Sequence, residues 1–106
     1  MPGANTSTRL ILAAGPEVTP RTLRIVNEKG LHARASARFV EVVEAHDATA
    51  TVLKDGLSVA GDSIMGLLML AASRGTSIEV QTSGPQETAL AAALDALVAN
   101  RFGEDY

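Results

Sequence analysis

Cysteine and tryptophan are absent from this 106-residue chain, and aromatic residues make up only 3% of it. Without cysteine there is no disulfide framework, no thiolate metal site and no cysteine nucleophile, and a reducing cytoplasm is the natural home for such a chain. With two Phe and one Tyr, the interior has to be built from Val, Ile, Leu, Met and many Ala, which requires close helix-to-sheet packing. Nothing approaches the roughly 18 consecutive apolar residues of a membrane span. Leu10 to Ala14 is too short for a signal-peptide core and lacks a strongly basic lead. A soluble protein that is neither exported nor inserted in a membrane is expected. Basic runs are also missing, the formal net charge being -3. The electrostatic footprint and stacking aromatics of a nucleic-acid binder are therefore lacking, and protein or small-molecule partners fit better.

What is present is one domain's worth of chain, 46% hydrophobic, enough for one modest core. Residues 1–20 are rich in Gly, Pro, Thr and Ala without sustained periodicity, and are read as a flexible extension. From Arg21 the alternation predicts a strand ending near Val26, with turn chemistry over Asn27 to Gly30. His32 to His46 has helical apolar spacing at Ala33, Ala37, Val40 and Val43. Ala48–Leu53 and Leu57–Ala60 flank Lys54-Asp55-Gly56 as a hairpin. Ile64–Leu70 reads as a short helix, apolar all round and hence expected to be covered on both sides. Thr76–Thr82 alternates as a fourth strand, and a helix follows from about Gln86 to Asn100. The order βαββαβα argues for an α+β layer, a sheet with three helices packed on it. The domain is placed at residues 21–101, with 102–106 as a short C-terminal tail.

The segment Gly30-Leu31-His32-Ala33-Arg34-Ala35-Ser36 lies where a loop becomes a helix. A helix start presents free N–H groups and partial positive charge, a ready site for a phosphoryl oxygen. A neutral imidazole there can attack phosphorus, and the negative charge it gains would meet those N–H groups and the forked guanidinium of Arg34. Residue type and spacing leave a second account open, in which His32 is a plain loop or cap histidine. No acid pair or metal-ligand set competes for the role, so no metal or organic cofactor is implied. His46, at the far end of the same helix, suits a surface position.

Gly30-Leu31-His32-Ala33-Arg34, continued by Ala35-Ser36-Ala37-Arg38-Phe39-Val40, closely resembles the active-site segment of the HPr family, the histidine-containing phosphocarriers of the bacterial phosphoenolpyruvate phosphotransferase system. The likeness runs from about Arg21 to Asn100 and includes Asp62-Ser63-Ile64-Met65-Gly66, Arg74-Gly75-Thr76 and Ser83-Gly84-Pro85. It implies an open-faced sandwich of four antiparallel strands with three helices on one face, with His32 as the phosphorylated histidine and Arg34 as the arginine beside it. It also implies phosphorylation at Nδ1 by enzyme I and delivery to a IIA protein or domain, for sugar transport or a nitrogen-type branch. The chain would be a phosphoryl-transfer intermediate rather than a stand-alone enzyme, and most simply a monomer. One departure is Ala35, where the family most often has proline; alanine keeps the helix and frees one more backbone N–H.

By the same resemblance Ser63 is a regulatory phosphorylation site for a dedicated HPr kinase/phosphorylase, while by residue type alone it is an N-cap. Met65, Leu68 and Met69, with Ala35 and Phe39, are the candidate partner-binding residues; core packing is the other account of these apolar side chains. Two functions from different classes follow. One is a phosphoryl carrier using His32 and Arg34, and the other a regulatory binding module read through Ser63 and the Met65 patch. A small-ligand domain ranks last, since there is no Gly-rich phosphate loop.

Overall fold

The structure, a computed structural model, describes residues 20–106; the extension assigned to residues 1–20 lies outside the described residues except for Pro20. Eight elements follow in order: β1 (Arg21–Arg24), α1 (Ala33–Glu44), β2 (Thr49–Lys54), β3 (Leu57–Ala60), α2 (Ile64–Met69), β4 (Ser77–Ser83), α3 (Glu87–Ala99) and a hydrogen-bonded 3₁₀ turn over Arg101–Gly103. The strands form one antiparallel sheet in the order β1-β4-β2-β3. The expected α+β open-faced sandwich with the βαββαβα order is what forms, each boundary falling within about two residues of its expected place.

Period-two alternation sets the inward face. Ile78, Val80 and Thr82 of β4 point to the core, as do Ala50 and Val52 of β2 and Leu23 of β1. Val52 sits opposite Val80 across β2 and β4, and Leu23 opposite Ile78 across β1 and β4. On the helical side, α1 buries Ala35, Phe39 and Val43 at i, i+4 and i+8, with Ser36 and Val40 on the same stripe. α3 buries Leu90, Leu94 and Val98 in the same spacing. Phe39, at 0% exposure, is among the largest fully buried side chains.

The short α2 departs from expectation. Only Leu67 of its six residues is buried, and Met65 and Met69 are 70% and 66% exposed. A one-and-a-half-turn helix can press one residue into the core, so the remaining apolar side chains face outward. Ser63 caps it, its Oγ accepting from the Gly66 N–H at 3.0 Å. Gly66 allows the close approach to β3, since a Cβ there would lie 3.0 Å from Val59 Cβ.

The end of the chain is not a loose tail. Arg101, Phe102 and Gly103 all have positive φ, 56°, 55° and 80°, which turns the chain back across the molecule after α3. Phe102 is fully buried in the core, and Arg38 donates to its carbonyl at 2.7 Å. Glu104 is thereby brought to the start of α1.

Candidate active site at the start of α1

Gly30 fixes the loop that carries the histidine. Its φ is +66°, and a Cβ would come within 2.5 Å of the Ala72 carbonyl oxygen, so only glycine fits. Leu31 then donates its N–H to that same oxygen at 2.9 Å. His32 is the N-cap of α1, with extended backbone (φ -82°, ψ -176°), rather than its first helical residue. The first helical bond runs from the Ser36 N–H to the His32 carbonyl at 2.8 Å. The amides of Ala33, Arg34 and Ala35 therefore have no helical acceptor.

The imidazole does not cap the helix; its Nε2 is hydrogen-bonded to Oε2 of Glu104. The other carboxylate oxygen, Oε1, accepts from Asn27 Nδ2 at 3.0 Å, and that same amide nitrogen donates to the Gly30 carbonyl at 2.8 Å. Burial opposes ionisation of Glu104. Hydrogen bonds from Asn27 and His32, with the charges of His32 and Lys29, outweigh it and hold the carboxyl below its ordinary value. An ionised carboxylate can only accept, so the neutral ring carries its hydrogen on Nε2 and leaves the lone pair on Nδ1. Nδ1 makes no hydrogen bond to any described residue.

Arg34 is exposed and makes no ion pair among the described residues. It lines a cleft of about 270 Å³ together with Lys29, Arg38, Glu28, Glu104 and Asp105.

Of the remaining sequence-based candidates, Ser63 is half-buried at its cap, Leu68 is half-buried, and Met65 and Met69 are exposed. Ala35 and Phe39 are corrected: both are fully buried in the core, so neither side chain offers a contact surface. They form the inward stripe of α1, and what Ala35 contributes at the site is its free amide. His46 donates through Nδ1 to the Val42 carbonyl at 2.8 Å. Two site residues had no role in the sequence reading. By residue type Asn27 reads as turn chemistry only, and Glu104 as tail. No group of three or more His, Asp or Glu among the described residues could hold a metal ion, and no helix among them is long and apolar enough to cross a membrane.

A histidine at a helix start, its Nδ1 without a hydrogen bond among the described residues, on a four-stranded open sandwich defines a small α+β module. A family model described as "PTS HPr component phosphorylation site" matches residues 19–100. The chain is 43% identical over 84 residues to the phosphocarrier protein HPr of Cupriavidus necator, covering 79% of this chain and 94% of that one. It is 37% identical over 86 residues to the phosphocarrier protein NPr of Escherichia coli, covering 80% and 96%. The solved structure of HPr-C-His from Thermoanaerobacter tengcongensis superposes with a TM-score of 0.78 at 34% identity, covering 83% of this chain and 99% of that one. The chain belongs to the HPr family of phosphocarrier proteins of the phosphotransferase system.

Proposed function

We propose that this phosphocarrier accepts a phosphoryl group on His32 from phosphorylated enzyme I and delivers it to a IIA protein or domain of a sugar or nitrogen-type phosphotransferase system in the bacterial cytoplasm. The observation that carries this reading is the bond from Nε2 to Glu104, which leaves Nδ1 as the nucleophile beside three free amides. As the Nδ1 lone pair forms the new N–P bond, the donor's bond to phosphorus breaks and its electrons stay with the donor. The ring keeps its Nε2 hydrogen and so gains positive charge, which the Glu104 carboxylate balances. Arg34 and the amides at the start of α1 receive the phosphoryl oxygens. The second transfer reverses these changes toward the acceptor.

The exposed Met65 and Met69, with part of Leu68, supply an adaptable apolar surface for these partners. A regulatory reading has its own support in Ser63. Its Oγ is half-buried at the cap of α2, next to Met65, so a phosphate added there by an HPr kinase/phosphorylase would put charge at the edge of that surface and oppose docking.

Intact-mass measurement after incubation with phosphoenolpyruvate, magnesium and enzyme I tests the carrier reading. One acid-labile phosphoryl group is expected on wild type and none on His32→Ala. An unmodified wild type, with enzyme I active on another carrier, would overturn it and leave the regulatory reading standing.

A further inference from the structure

Asn27 is fully buried, and its amide group bonds both the loop ahead of His32, through the Gly30 carbonyl, and the Glu104 carboxylate. Both partners can only accept, so the NH₂ must face them. Its own Oδ1 is buried with no hydrogen-bond partner among the described residues. A bare buried acceptor opposes folding, and an apolar residue here would be free of that penalty. The amide is thus poorly explained by packing alone and well explained by what its nitrogen holds.

We infer that Asn27 is a positioning residue for phosphoryl transfer, acting through Glu104 to keep the proton of the neutral His32 ring on Nε2 and the lone pair on Nδ1. The turn over Arg101–Gly103 brings Glu104 near, anchored by buried Phe102. Asn27 then occupies Oε1, so that Oε2 is the oxygen left to meet the ring. Because the same amide also binds Gly30, the histidine loop and the carboxylate are fixed to each other by one side chain. The consequence for transfer rests on the carrier reading given above; the tautomer itself does not.

The test combines ¹⁵N spectra of the labelled imidazole, taken where the ring is neutral, with the rate of phosphoryl acceptance from phosphorylated enzyme I. Wild type, Asn27→Ala and Glu104→Gln are compared. A glutamine keeps the shape of Glu104 but can turn its N–H toward Nε2, which favours the opposite tautomer. Wild type is expected as the Nε2–H form. In both variants the Nδ1–H form should become measurable and acceptance should slow about tenfold, short of the ~100-fold that a misplaced reacting group can cause. A folded Asn27→Ala with wild-type tautomer and rate overturns the inference. Should that variant not fold, an unchanged tautomer and rate in Glu104→Gln overturns it instead. A wild type that takes no phosphoryl group defeats the carrier reading alone, and the tautomer ratio still decides the role of Asn27.

Discussion

The start of α1 and the outer face of α2 are held in opposite ways. At the first, a glycine with no room for a Cβ, a fully buried asparagine and a carboxylate returned from the end of the chain fix one imidazole. At the second, a six-residue helix is anchored by Leu67 and a serine cap, with two methionines left in solvent. Chemistry at a single nitrogen needs its neighbours held within a fraction of an ångström, whereas recognition of successive partners is served by flexible, polarizable side chains. Fixing and freeing are thus divided between two helices that touch each other.

The largest effect on this contrast is expected from Gly30→Ala. The new methyl would meet the Ala72 oxygen at 2.5 Å and Ser73 Cα at 3.0 Å, with φ at +66°. Left-handed backbone and overpacking together should cost about 3 kcal/mol, a fall in Tm of roughly 15 °C. Gly56→Ala is the control. Its φ is also positive, +83°, but nothing lies within 4 Å, so only about 1–2 kcal/mol should be lost. Equal losses in thermal melts of the two variants would mean the histidine loop is not locked against Ala72.

Next in size is Met65→Glu, which should leave stability within about 0.5 kcal/mol of wild type. It should also weaken binding of enzyme I by about 2 kcal/mol, roughly thirtyfold in Kd. Unchanged affinity by calorimetry would remove the methionines from the docking surface. Ser63→Ala comes below that: loss of the bond to Gly66 should cost ~1 kcal/mol, measurable by denaturant unfolding, with the chemistry at His32 intact.

The same division explains what could be read from the residues. Strands such as β4 alternate cleanly because one face is buried, and the loop-to-helix position of His32 followed from Gly30 and the apolar spacing after it. Other features were not settled by residue type. The α2 methionines could be read either as partner contacts or as core, because hydrophobicity says that a side chain can be buried, not that it is. Glu104 was invisible because its approach depends on left-handed backbone at Arg101 and Phe102, residue types that give no sign of it. A lone phenylalanine just before Gly103 was the available hint that the end of the chain is tied down. Asn27 was equally opaque, since its two acceptors lie 3 and 77 residues away, and only the nearer belongs to a turn.

The smallest effect sharpens the comparison at the α1 end by separating charge from shape. Glu104 has its carboxyl held below the ordinary value; burial works against this and is outweighed by the bonds from Asn27 and His32 and the charges of His32 and Lys29. A carboxyl lowered in the folded state stabilises the fold fully above its unfolded value, about 4.3, and loses that contribution as pH falls through the folded value. Glu104→Gln cannot titrate. Its stability deficit relative to wild type should therefore shrink progressively as the pH falls from about 5 to about 3. Met65→Glu, whose new carboxylate would sit in solvent, should show no comparable narrowing. Urea unfolding across that range checks both. A deficit for Glu104→Gln that stays flat down to pH 3 would mean that the carboxylate charge is not what holds the histidine end together, leaving shape and the Asn27 bond to do so.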